Sequence, residues 1–448
     1  MLRHRTIGVL VVLFLSIWTA VAAAAPYAYI TNSGTGNISV IDPRTNVEVD
    51  LIALPAGAVP WGMAIHPEGK WLYVTHFGNG ILYVVDLETK AVQGYSTGSL
   101  PFGVAVHPAG SKVYVTRAVL MGNNLAVFNT GNYNDRTDIS GGLFPAGVAV
   151  NKATGHLYVA NLSGVRVLNL ADNSLVANVP LGTRGFGVAV HPKGHRFYVA
   201  LPNVNQLAIV DAMPPFSFST VGVGVTPQSV TPQSVAVSPD GKRVYIGNYG
   251  DPDPSVNNPG SVTILDENGG FVQTVTVGTN PYGVQVSPDS SRVFVANWGS
   301  NNLSVIDAVS FEVSTVALSG RAPVAFGISM LPEEVMTVGV DIMPGGNPNM
   351  INLRAQGTLP VAILGSAEFN VATIDPTTVT LAGAGVVMKK NGPMASMDDV
   401  NGDGFVDLVV HVARKDLKLQ VGDTEAVLEG KTYDGLAIRG TDSVVVIH

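Results

Sequence analysis

Nine consecutive residues, Asp399-Val400-Asn401-Gly402-Asp403-Gly404-Phe405-Val406-Asp407, carry the most specific chemistry in this 448-residue chain. Side-chain oxygens fall at positions 1, 3, 5 and 9, and Gly404 at position 6 permits a sharp turn. Hard oxygen donors at this spacing suit calcium. The expected ligands are Asp399, Asn401, Asp403, the carbonyl of Phe405, and Asp407. Position 12 is Val410, so the usual bidentate glutamate is missing, and Leu408–Val412 reads as a strand. Asp398 or a carboxylate distant in sequence would complete the shell. The competing reading is a solvated Asp/Gly turn.

A second set lies in the first three quarters of the chain. His66, His107 and His191 each precede a proline at one position of a repeat, where other copies carry Asn151, Ser238 and Ser287. A position that accepts His, Asn or Ser before a turn reads as a turn position, its side chain bonding nearby backbone. Its equivalence from copy to copy argues against convergence on one metal. His76 and Arg117 stand where other copies carry Asn32, Asn161, Asn248 and Asn297. Trp61, Phe102, Phe186 and Tyr282 precede the repeat glycine, and Gln285 replaces an alanine. Arg184 and Arg321 share that class of loop. An aromatic rim with a few polar groups describes a ligand site. The alternative is that the rings pack between repeats and the arginine is solvated. No Ser/His/Asp order and no GxSxG occurs, and the acidic residues follow the repeat, not a catalytic pairing.

The elements that position these residues are short. A Gly-led apolar run recurs at Gly62, Gly103, Gly147, Gly187, Ser234, Gly283 and Gly327, at intervals of 40 to 49 residues. A YVTN-like run also recurs seven times, from Tyr29–Asn32, which no Gly-led run precedes, to Phe294–Asn297, as in Tyr245–Asn248. A third run closes on Asp42, Asp86, Asn129, Asn169, Asp211, Asp266 and Asp307, and a weaker fourth completes the unit. Runs of about five β-formers between Gly/Asn/Ser/Pro clusters predict strands. Four strands in roughly 40–45 residues is the period of a propeller blade. The chain enters the repeats on a YVTN-like run and leaves on Ala325–Met330, a Gly-led run. These halves predict one shared blade, giving an all-β, seven-bladed propeller closed by its own ends. The string VTPQS is doubled at Val225–Ser234, and Asp251 and Asp253 in a Pro-rich insertion offer oxygens to a cation.

These three motifs, recurring in fixed order over residues 27–331, resemble the YVTN family of β-propeller repeat proteins. At the level of the blade the chain is also similar to lactonase-like and nitrous-oxide-reductase-like propellers. The resemblance implies the fold and often export, but no assigned activity. The acidic loop resembles calcium loops of exported β and dockerin-like modules more than a sensor EF-hand. VDIMPG, LPVAILGS and DVNGDG resemble a β domain that follows repeats in exported bacterial proteins.

Composition sets the remaining bounds. Charged residues are 13%, Gly numbers 50, and mean hydropathy is +0.30, as expected of strands buried on both faces. Residues 1–25 read as a cleaved export signal: Arg3 and Arg5, an apolar Ile7–Leu15, then Ala22–Ala25. Cleavage takes the net charge from −8 to −10, leaving no electrostatic reason to bind nucleic acid. It also leaves no stable membrane span. With no cysteine, disulfides, thiol catalysis and iron–sulfur clusters are excluded. The expected organisation is a signal at 1–25, the propeller at 26–331, a linker at 332–336 and a small β-sandwich-like domain at 337–448. The expected function is an exported, periplasmic or extracellular, non-enzymatic binding or surface protein. Its propeller mouth would take a small ligand, glycan or protein, and calcium would be structural. The alternative is a lactonase-like hydrolase or metal-dependent enzyme acting at the axis.

Overall fold

The computed structural model describes residues 27–447 apart from 121, 224–230, 251–258, 325–329, 331–334, 347 and 434–435. The signal segment, Gly327, Asp251, Asp253, the first VTPQS copy and most of the 332–336 linker therefore lie outside the described residues. Two short 3-10 turns are the only helices among the described residues, and none is long and apolar enough to cross a membrane.

Over residues 28–324 the strands form seven four-stranded antiparallel sheets among the described residues. Six take four strands in sequence order, such as Pro60–Ile65, Trp71–His76, Ile81–Asp86 and Val92–Ser96. The other joins Ala28–Asn32, Asn37–Asp42 and Val47–Ala53 to Pro323–Val324, with Thr31 opposite Val324 and Asn32 opposite Pro323. The first sheet also packs on the last: Ala28, Ile30 and Ile41 share a buried cluster with Phe294, Leu303 and Met330.

Burial explains the repeat. The middle strands are buried on both faces because each sheet is covered by its neighbours. The outer strand Val47–Ala53 alternates instead, with its exposed residues toward water. The tyrosine of the YVTN-like run is the largest buried side chain in five sheets, at Tyr73, Tyr114, Tyr158, Tyr198 and Tyr245. The repeat glycine has a specific cause. A Cβ on Gly62 would meet the carbonyl oxygen of Phe102 at 2.1 Å, and one on Gly147 that of Phe186 at 2.4 Å. Each glycine thus lets the backbone of the next sheet approach. Ser234 departs from this rule, and the glycine reappears opposite it as Gly247.

The threonine of the motif binds the same junction. Thr75 Oγ1 accepts from the Gly62 amide and donates to the Phe102 carbonyl, both at 2.8 Å. Thr116 repeats this with Gly103 and Ala146. The motif's asparagine faces inward: Asn32 Nδ2 donates to Ser39, Asn248 to Thr263, and Asn297 to Ser304. The closing acidic residue starts the next turn, as when Asp86 Oδ1 accepts from the amides of Glu88 and Thr89.

Residues 335–447 form a five-stranded sheet ordered Val335–Thr337, Ala437–Ser443, Glu425–Thr432, Ile374–Leu381, Ala384–Gly385. A second sheet is ordered Gly339–Ile342, Thr358–Leu364, Asp407–Ala413, Ala395–Asp398. One buried cluster, including Ile342, Val361, Val379, Leu408, Val410 and Leu428, lies between them.

Candidate functional site

The residues before the repeat glycines meet one another. Phe102 and Phe186 are buried and edge-to-face at 5.3 Å, although another sheet separates theirs in sequence. Trp61 lies 5.8 Å from Phe102 and 5.0 Å from Tyr282, which stands edge-on to it. Phe77 adds to Trp61 at 5.6 Å, and Tyr249 to Tyr282 at 5.8 Å. Edge-to-face rings at these separations attract. Arg184 brings its Cζ 5.0 Å from the centroid of the Phe186 ring, a cation–π contact. Burial pushes the Tyr282 phenol well above its ordinary range, the neighbouring Tyr249 adding to this, so it stays protonated.

The structure brings Trp61, Phe102, Phe186 and Tyr282 together, packed ring against ring. It adds Phe77 and Tyr249, which carried no repeat signal. Arg184 joins this group, whereas Arg321 is exposed and its backbone bonds to Gly34 and Thr35.

His76 and Arg117 are held by other partners. His76 is buried, accepts the Val59 amide at Nδ1 and stacks on Tyr83 at 5.7 Å. Tyr83 stands at the strand position that holds Ser39 or Ser304 elsewhere. The imidazole–phenol pair therefore replaces an amide–hydroxyl pair. Burial lowers the His76 pKa, keeping it neutral near pH 7. Arg117 pairs with Asp138 at 3.1 Å and donates to the carbonyls of Thr97 and Asn123.

Behind the aromatic cluster runs a cavity of about 590 Å³. Its wall is the inner strands, from Gly103, Gly147, Gly187 and Ser234 to the turn prolines, and Gln285 lines it. The turn histidines sit at the far end. His66 Nδ1 accepts the Glu68 amide, and its Nε2 faces the Gly110 carbonyl at 3.2 Å. His191 does the same with Lys193 and Gly241, and Asn151 Nδ2 reaches Gly194 at 2.8 Å. His107 is tied only to its own turn among these contacts, through Ala109 and Ser111.

His191, His195 and Glu267 bring their ligand atoms within 4.8 Å of one another, a grouping the sequence spacing concealed. The chemistry does not favour a metal there. Because His191 Nδ1 accepts an amide proton, its Nε2 carries the hydrogen and donates, with Glu267 Oε2 at 3.1 Å. His66 shows the same tautomer in a sheet with no such neighbours.

In the acidic loop, Asp399 accepts from the amides of Gly402 and Gly404, Asn401 from Asp403, and Asp403 from Phe405. Phe405 is exposed. Asp407 is fully buried, with its two oxygens accepting from Gly365 and Val400. The three exposed side chains and the buried anchor all present oxygen, as a hard cation requires.

No protein-family model matches the sequence, and no curated protein matches it. Solved structures do. Hydrazine synthase of Kuenenia stuttgartiensis is 21% identical with a TM-score of 0.55, over 66% of this chain and 99% of that one. The periplasmic gluconolactonase of Pseudomonas aeruginosa is 18% identical with a TM-score of 0.54, over 66% and 97%. A candidate 6-phosphogluconolactonase of Bacteroides uniformis is 15% identical with a TM-score of 0.55, over 67% and 98%. At these identities the likeness establishes a propeller-like all-β fold. The expectation of a non-enzymatic binding or surface protein is corrected here. The structures sharing the fold include proteins named as a gluconolactonase and 6-phosphogluconolactonases, which are enzymes.

Proposed function

We propose that this chain is a lactonase-like hydrolase working at the aromatic end of a seven-bladed propeller closed by its two ends. The pairing of Thr31 with Val324 and the cluster joining Ile30 to Phe294 support the ring. The three recurring motifs support membership of the YVTN-type repeat proteins, and the gluconolactonase-like structures support the reaction class.

The observation that carries the site is the grouping of Trp61, Phe102, Phe186 and Tyr282 under Arg184. Aromatic faces take the C–H face of a sugar-like ring, and a guanidinium binds carboxylate or phosphate. In hydrolysis, water adds to the lactone carbonyl carbon, the ring C–O bond breaks and the departing oxygen takes a proton. The protonated Tyr282 phenol is a donor suited to that oxygen, and Arg184 to the developing negative charge.

We further assign the 399–407 loop a structural calcium ion, held by Asp399, Asn401, Asp403, the Phe405 carbonyl and Asp407, and the protein an exported location. The leader-like residues 1–25 and the periplasmic neighbour support export.

The test is a pH-stat assay of purified protein with glucono-1,5-lactone and its 6-phosphate. Acid release above the spontaneous rate is expected, with Arg184→Ala lowering kcat/KM at least tenfold. No acceleration of either lactone overturns the reading.

A further inference from the structure

The axial cavity plays no part in that reaction, yet its wall is built for a guest. Its volume of about 590 Å³ lies in the range of ligand pockets. Val106, Val148, Val150, Val188 and Val190 sit on inner strands but are only half-buried, because they face this space. Polar side chains among the lining residues are few: Gln285 and Ser234 on the strands, and Asn151, Lys152 and His191 at the turns. Water between valine side chains lacks hydrogen-bond partners, so apolar cavities favour apolar guests. The rings of Phe102 and Phe186 stand on the residues just before the lining glycines, so that end is stopped. The opposite end lies at the turns.

One turn differs from the rest. Five sheets place proline there, as at Pro67 and Pro192, but the sheet containing Asn151 places Lys152, which is exposed and borders the cavity. Lys152 is the one Lys, Arg, Asp or Glu among the lining residues, beside Asn151, His191 and the turn prolines, and it matches the head group of an anionic amphiphile. The lining run from Gly103 to Pro108 rises roughly 16 Å, enough for an extended chain of about ten to twelve carbons.

We propose that the axial cavity binds a linear aliphatic chain with an anionic head, the tail between the valines and the carboxylate at Lys152. Each methylene taken from water contributes roughly a fourfold gain in affinity. This site lies at the far end of the axis from the aromatic cluster and does not depend on lactone hydrolysis.

The test is titration calorimetry of the full chain with decanoate and with decan-1-ol. One saturable site with a negative heat-capacity change is expected. Ala189→Phe, which puts a ring into the cavity, abolishes binding of both, and its melting temperature reports whether it folds. Lys152→Gln, at an exposed turn, lowers decanoate affinity about two- to fivefold and leaves decan-1-ol unchanged. Absence of saturable decanoate binding overturns the proposal. So does wild-type affinity in a folded Ala189→Phe protein, and equal decanoate affinity in Lys152→Gln removes the head-group assignment.

Discussion

His66 Nε2 stands 3.2 Å from the carbonyl oxygen of Gly110, a residue of the next sheet. His191 and Gly241 repeat the contact at 3.1 Å, and Asn151 and Gly194 at 2.8 Å. Both glycines facing histidine have positive φ, and a Cβ on Gly110 would fall 2.3 Å from the imidazole. Gly110→Ala is therefore expected to destabilise by about 1–3 kcal/mol, from backbone strain and the broken bond together. Urea denaturation measures it, and an unchanged midpoint would show that the contact is incidental.

The threonine junctions predict a graded series. Thr75→Val removes the donor to Phe102 and the acceptor from Gly62 in a fully buried site. A loss of about 1–3 kcal/mol is expected, and Thr75→Ser should recover most of it. A Val variant as stable as wild type, with the loss falling on Ser, would in thermal melts point to packing of the methyl group instead.

His76 gives a pH dependence of known sign. Burial lowers its pKa in the fold, so the unfolded chain, titrating near 6.5, binds the proton more readily. Its contribution is complete above about pH 6.5 and is lost as pH falls through the lower folded value. The urea midpoint should drop between pH 7 and pH 5, and His76→Asn should flatten that slope. A slope unchanged by the substitution assigns the titration to another group.

For the acidic loop, chelation should lower the melting temperature of the 335–447 region and added calcium should restore it. At a hundredfold excess over Kd the expected gain is about 2.7 kcal/mol. Asp399→Ala should abolish the response. Differential scanning calorimetry with and without chelator decides it, and identical traces would leave only an Asp/Gly turn.

Much of this fold was legible because the code repeats along one chain. The Gly-led run at Gly283–Val286 lies within the strand Pro281–Val286, and Tyr245–Asn248 within Arg243–Asn248. What stayed hidden is contact between sheets. Glu267 reaches His191 across tens of residues, and Phe77 joins Trp61 without sharing its motif position. The threonine's purpose was equally invisible, since its partner is a backbone carbonyl, which sequence does not distinguish. In the 335–447 region, Val335–Thr337 pairs in parallel with Ala437–Arg439, a register that no local turn could specify.

The ladder between Asn32 and Pro323 has a consequence for synthesis. The strand Ala28–Asn32 lacks this partner until nearly three hundred further residues exist. Closing so long a loop is slow and comes late. A chain stopped before Pro323 would keep an open strand edge beside Thr31, a template for pairing with another chain.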